Sequence, residues 1–176
     1  MSKYFIMTAF GKDRVGIVAD VTRLLYENDC NLEDTTMNLL ADQFTLNLLF
    51  SSKQENIEAH LLRECRRLEV EKGISAFVRA LPAPQKRSSE NYKTCTLHVE
   101  GLDQAGIVYK ISKFLSENNL NIIHLNSTPK ASPESGTIIY SMDIHIQVLE
   151  AISLDQLEAD LSTMADELQV DITLSR

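Results

Sequence analysis

The stretch Gly11-Lys-Asp-Arg-Val-Gly-Ile-Val18 recurs as Gly101-Leu-Asp-Gln-Ala-Gly-Ile-Val108, and the 90-residue offset puts both glycines, the aspartate and the Ile-Val pair in one register. The match continues downstream. Leu25, Glu27, Asn28 and Asn31 fall on Leu115, Glu117, Asn118 and Asn121, while Val21/Ile111, Thr22/Ser112 and Arg23/Lys113 are conservative pairs. Agreement of turn residues and apolar period in a single register indicates one small unit present twice. Between the copies, Pro82-Ala-Pro-Gln-Lys-Arg-Ser-Ser-Glu-Asn91 has two prolines, consecutive serines and no apolar period, as expected of an exposed connector. The expected organisation is therefore a domain at residues 1–81, a linker at 82–91 and a second domain at 92–176.

Within each copy the hydrophobic period switches in the same order. Lys3 to Phe10 and Thr94 to Glu100 are short and rich in β-branched or aromatic residues, with Cys95, Leu97 and Val99 on one face. Ile17, Val21, Leu24 and Leu25, and then Ile107, Ile111, Phe114 and Leu115, follow the three-and-four spacing of an amphipathic helix. Alternation returns over Asn31 to Leu40 and Gln43 to Ser51, and over Asn121 to Lys130 and Thr137 to Val148. A second helix is marked by Ile57, Leu61, Cys65 and Leu68, and by Leu154, Leu157, Leu161, Met164 and Leu168. Short strands near Ile74 to Leu81 and Asp171 to Ser175 close the copies. The order βαββαβ, twice, predicts an α+β protein of two ferredoxin-like domains, because right-handed crossovers put both helices on one face of a four-stranded antiparallel sheet. The bare sheet face and the edge strands then call for cover from the other copy or from a second chain, so a homodimer is expected.

Composition narrows the function. The 176 residues carry 17 Lys+Arg against 25 Asp+Glu, a formal charge of -8, with 44% hydrophobic and 24% charged residues, the balance of a globular protein. An acidic chain lacks the positive field that phosphate backbones require, and Arg63, Arg66 and Arg67 are interleaved with Glu64, Glu69 and Glu71, so direct nucleic-acid binding is not expected. The Arg63 to Lys72 run is best read as a solvated helix face. No segment approaches the ~20 apolar residues of a membrane span, and the N-terminal apolar run is too short for a signal peptide. A cytoplasmic protein without membrane association is expected. Cys30, Cys65 and Cys95, an odd number at wide spacing, read as reduced thiols, mostly buried.

A short strand, then Gly-x-Asp-Arg-x-Gly-Ile-Val opening a helix, then Cys30-Asn31-Leu32-Glu33-Asp34 leading into a second strand, resembles the ACT domain, a ligand-binding module of amino-acid metabolism. The second copy repeats the pattern with Gly101 to Val108 and Leu120-Asn121-Ile122, so the resemblance covers nearly everything but the linker. It implies a regulatory protein of two ACT domains that has no catalytic part. Such a protein would bind an amino acid, glycine being the first to try, and act on transcription by contacting a transcription factor or other protein. The chain departs from the family pattern before the second glycine, where proline is frequent and Val15 and Ala105 stand here, and at Arg14, which becomes Gln104. The second copy also carries the insertion Ala131-Ser-Pro-Glu-Ser-Gly136.

The candidate site follows from the loops themselves. Asp13, Arg14, Val15, Gly16, Ile17 and Val18, and Asp103, Gln104, Ala105, Gly106, Ile107 and Val108, run into helix N-termini, where unpaired N–H groups and the positive dipole end suit a carboxylate. Glycine lets a ligand approach the backbone, and Asn31 and Asn121 could offer side-chain oxygens to an α-ammonium group, a role the resemblance also implies for the start of the second strand. The alternative is structural: the aspartates cap helices, the glycines serve the turn, and the asparagines end the preceding helix in a left-handed conformation. A ligand-independent interaction module is then the competing function.

Other chemistries fit less well. Cys95 and His98, three apart on a strand, point to opposite faces. His60, His98, His124 and His145 are available, and His124 and His145 lie on strands expected to pair, yet two histidines without a third ligand make a poor site and read as ordinary solvated sheet positions, so no metal is expected. No serine occupies a Gly-x-Ser-x-Gly elbow, and neither glycine loop continues into the Lys-Ser or Lys-Thr of a phosphate loop. Neither catalysis nor a bound cofactor is expected.

Overall fold

A computed structural model describes residues 2–82, 91–102, 105–131 and 137–175. The chain divides into two compact units, Met1–Lys86 and Arg87–Arg176. Of the expected linker only Pro82 and Asn91 are among the described residues, and of the insertion only Ala131.

The first unit runs β1 (Lys3–Lys12), α1 (Ile17–Tyr26), β2 (Asn31–Leu40), β3 (Gln43–Ser52), α2 (Ile57–Lys72) and β4 (Ser75–Leu81). The second runs β5 (Tyr92–Leu102), α3 (Ile107–Glu117), β6 (Asn121–Ala131), β7 (Ile138–Leu149), α4 (Leu154–Leu168) and β8 (Val170–Ser175). Each sheet is antiparallel throughout, in the orders β2-β3-β1-β4 and β6-β7-β5-β8. This is the ferredoxin-like architecture that the alternation of periods predicts.

Each unit has its own core. Phe5, Met7 and Ala9 of β1 and Phe44, Leu46, Leu48 and Phe50 of β3 face inward at alternate positions and meet Ile17, Val21, Leu24 and Leu25 of α1 and Ile57, Leu61 and Cys65 of α2. In the second unit Cys95, Leu97 and Val99 of β5 and Met142, Ile144, Ile146 and Val148 of β7 meet Ile107, Ile111 and Leu115 of α3 and Leu157, Leu161 and Met164 of α4. The inward positions are the apolar ones of the 2- and 3.6-residue periods, which is why a sheet with both helices on one face satisfies both.

Two features depart from the sequence reading. Gly16 and Gly106, not Asp13, stand at the N-caps of α1 and α3, with φ of 84° and 94° and no side-chain cap. The left-handed residues after these helices are Asp29 and Asn119, at φ 50° and 55°, while Asn31 and Asn121 already open β2 and β6. A bulge follows at the same place in both units, between Leu32 and Asp34 and between Ile122 and His124. The extra residue shifts the following side chains to the opposite face, a device strands use to re-aim a group. Every residue of the edge strand β2 is exposed, including Leu32, Met37, Leu39 and Leu40.

Candidate functional site

The two loops ahead of α1 and α3 are set by strand on one side and helix on the other. After β1 the Asp13 N–H donates to the carbonyl of Asp42 at 2.8 Å, tying the loop to the turn between β2 and β3. Arg14 follows, its guanidinium donating to the Asp20 carboxylate at 2.5 Å and to the Val15 carbonyl at 3.4 Å. Val15 is fully exposed at 100%. Gly16 then turns the chain through a left-handed conformation, and Ile17, buried at 3%, anchors the helix in the core. The Asp20 N–H is bonded to the Gly16 carbonyl at 3.0 Å and the Ile17 N–H to the Arg14 carbonyl at 3.3 Å, which leaves the N–H groups of Val18 and Ala19 without intrahelical partners. A Cβ on Gly16 would meet nothing within 4 Å, so the space before this helix end is open.

The second loop repeats this at Ala105, Gly106, Ile107 and Val108, with Lys110 N–H bonded to the Gly106 carbonyl at 2.9 Å and open space around Gly106. Asp103 and Gln104 lie outside the described residues. The electrostatics of the two differ. Lys110 stands at the repeat position of Asp20, so the first turn of α3 is basic where that of α1 is acidic. The hydrogen bond from Arg14, aided by the charge of Lys72 at 3.7 Å, holds the Asp20 carboxyl below its ordinary range. The sequence pattern does not single out Asp20, and it reads Lys72 only as the end of a solvated helix face. An acid in the first turn of a helix opened by a basic loop is the signal that marks Asp20.

Asn31 and Asn121 are elsewhere. They follow the C-termini of α1 and α3, and a helix of 10 residues such as α1 separates its ends by about 15 Å. Within one domain, therefore, the asparagine and the loop do not converge on a ligand the size of a free amino acid. Asn31 donates to Glu33 Oε1 at 3.0 Å, and Glu33 also accepts from Ser51 Oγ at 2.7 Å, bonds that lower the Glu33 pKa. Asn121 donates to Gln147 Oε1 at 3.2 Å and lies in an open depression of about 440 Å³ formed with Ser112, Ser116 and Asn119. A larger groove of about 510 Å³ runs between α3 and α4 over Phe114, Met164 and Leu168, with Lys110 and Lys113 on one rim and Asp160 and Glu167 on the other. Its counterpart between α1 and α2, about 220 Å³, is bridged by the Lys72–Asp20 contact and flanked by Arg67 with Glu64 and Glu71 at 3.2 and 3.6 Å. No group of three or more His, Cys, Asp or Glu that could hold a metal ion occurs among the described residues. Cys65 and Cys95 are buried and Cys30 is half-buried, all three as free thiols. No helix among the described residues is long and apolar enough to cross a membrane.

A βαββαβ sheet-and-helix unit with a glycine N-cap loop, present twice, matches what comparison with known proteins finds. The ACT-domain family profile matches residues 3–79, the first of the two units, and the chain belongs to the ACT-domain family. It is 42% identical over 48 residues to the glycine cleavage system transcriptional repressor of Escherichia coli K12, a match covering 27% of this chain and 25% of the repressor's length. A UPF0237 protein of Streptococcus mutans is 39% identical over 59 residues, covering 34% of this chain and 67% of that protein. A crystal structure provisionally described as a glycine cleavage system transcriptional repressor superposes with a TM-score of 0.73 at 23% identity, over 99% of this chain and 97% of that one, so the two-domain fold is shared end to end.

Proposed function

We propose that the protein is a non-enzymatic, amino-acid-responsive regulator that acts on transcription by contacting another protein. The observation that carries this reading is the pair of helix N-termini at Gly16 and Gly106, without a side-chain cap and with open space beside each glycine, where backbone N–H groups can donate to a carboxylate. Similarity to the glycine cleavage system repressor supports transcription as the output and glycine as the first ligand to try. The acidic charge of -8 favours a protein over DNA as the immediate target. The exposed edge strand β2 calls for cover, which is the reason to expect a homodimer, and in this reading a second chain supplies Asn31 and Asn121 to the loops. The protein is cytoplasmic in this reading, and its functional boundaries are residues 1–81 and 92–176 with a linker at 82–91.

Coupling requires the ligand to bind one arrangement of domains better than another, and a tenfold difference corresponds to ~1.4 kcal/mol. A thermal-shift scan of the protein against the common amino acids tests the reading. Ligand at about 100 times its dissociation constant contributes ~2.7 kcal/mol and raises the melting point by several degrees. A selective rise with glycine or one other amino acid is expected, and no rise with any of them contradicts the sensor.

A second reading, a ligand-independent interaction module, draws on the exposed edge strand β2 and on the stacked pair Phe10 and Phe77, 43% and 64% exposed with ring centroids 6.1 Å apart. It predicts partner capture unaffected by amino acids.

A further inference from the structure

The outward faces of the two sheets, away from the helices, differ in chemistry. In the first sheet the pairing register sets Asp34, Leu49, Ile6 and Arg79 in one row across β2, β3, β1 and β4, and residues directly opposite one another share a face. The exposed, stacked rings of Phe10 and Phe77 stand on that same face. In the second sheet the corresponding row is His124, His145, Thr96 and Ser175, and the places of Phe10 and Phe77 are taken by Glu100 and Thr173. The same fold therefore tolerates polar residues at all these positions, so Ile6, Leu49 and the two phenylalanines serve something other than the domain's own core. An exposed apolar patch rimmed by polar groups marks an interaction surface. The rim of this one is charged with opposite signs at its two ends. Asp34 on the β2 edge and Arg79 on the β4 edge are three strand spacings apart, about 14 Å, too far to meet within the chain. Among the described residues neither takes part in an ion pair.

We propose that this face docks on the same face of a second copy of the chain, about a twofold axis parallel to the strands. Such an axis keeps each row at its level and reverses its order across the sheet, so β4 of one copy lies over β2 of the other and β1 over β3. Arg79 then meets Asp34 of the second copy at both ends of the row, and Ile6 meets Leu49 between them. Packed sheets stand about 10 Å apart, a gap that an arginine and an aspartate reaching toward each other close. Phe10 and Phe77 come over Thr45 and Thr36 of the second copy, whose short side chains leave room for the rings. A twofold axis across the strands would instead lay β2 on β2 and cover both charges unpaired, which is costly. The face is thus complementary to itself in one orientation. This interface is separate from pairing at the β2 edge.

Analytical ultracentrifugation of the full chain over a concentration series, without added amino acid, tests this face independently of the sensor. The parent is expected to self-associate. Asp34→Arg and Arg79→Asp each weaken self-association by at least about tenfold, because like charges then face each other across the interface, while far-ultraviolet dichroism stays unchanged. Phe77→Ser weakens it by a similar factor, at least about tenfold. The two charge variants mixed one to one associate within about threefold of the parent, because the mixed pair restores both opposite-charge contacts. That recovery is not available to a variant that has failed to fold. A parent that stays monomeric at every concentration, or a mixture that associates no better than its components, overturns the proposal. Association indifferent to all three substitutions assigns the dimer to another surface, such as the β2 edge, and overturns it too.

Discussion

The guanidinium of Arg14 and the carboxylate of Asp20 are joined at 2.5 Å, so the loop that precedes α1 is tied to the first turn of that same helix. The pair sets the charge at the candidate site. It leaves the α1 end close to neutral, whereas the α3 end carries Lys110 at the equivalent place. An anionic group approaching the first loop must compete with Asp20 for Arg14, and Asp20→Asn removes that competitor. If a carboxylate binds here, Asp20→Asn tightens binding and Arg14→Ala weakens it, both measurable by calorimetry.

The same pair makes stability depend on pH. Arg14 lowers the folded-state pKa of Asp20, and hydrogen bonds from Ser51 and Asn31 lower that of Glu33. A depressed carboxylate contributes stability that is present above its unfolded-state pKa and lost as pH falls through the folded value. Urea unfolding therefore shows a stability loss on acidification below the ordinary carboxylate range, about pH 4. Asp20→Asn lowers stability at pH 7, and the gap to the parent narrows at pH 3.

Glycine substitutions separate crowding from backbone strain. At Gly101 a Cβ would sit 2.7 Å from Val170 Cγ1, and at Gly16 it would meet nothing but would hold φ at 84°. Gly101→Ala is expected to cost about 1–3 kcal/mol through overpacking of β5 against β8. Gly16→Ala costs about 1 kcal/mol through its left-handed backbone. Adding Val170→Ala to Gly101→Ala recovers part of the loss, and equal, additive penalties in urea unfolding contradict this division.

Adjacent leucines on α2 report which face is buried. Leu61 is 0% exposed and Leu62 is 46% exposed. Leu61→Ala is expected to destabilise by about 2–5 kcal/mol and Leu62→Ala by less than about 0.5 kcal/mol. Urea titration of the two variants checks the helix register directly.

Thiol reactivity follows burial. Burial of Cys65, with Glu64 beside it, pushes its thiol up to about 11, and burial also raises that of the half-buried Cys30. Reaction of the native protein with a thiol-specific disulfide at pH 8 should modify Cys30 first and Cys65 only on unfolding. Early labelling of Cys65 would contradict its place in the core.

Much of this was legible in the chain because the periods are clean. Phe44, Leu46, Leu48 and Phe50 alternate without interruption, and Ile17, Val21, Leu24 and Leu25 keep helical spacing, so the order of elements follows from burial alone. Backbone conformation was less legible. Asp13 has the chemistry of an N-cap, yet β1 continues through Gly11 to Lys12, and the cap falls on Gly16, where the turn requires positive φ. The bulge at Leu32/Asp34 leaves no trace in hydropathy, because β2 is exposed on both faces. The separation of Asn31 from the loop is a matter of helix length: neighbours of the same helix in sequence stand at its opposite ends.

The most direct test of the amino-acid sensor is to follow the backbone amide resonances of the protein by NMR as glycine, and then each other common amino acid, is added. Saturable shifts are expected for one of them, centred on the amides of Gly16, Ile17 and Val18 or of Gly106, Ile107 and Val108. Unmoved loop amides with every amino acid, or saturable shifts confined to residues remote from both loops, would contradict it.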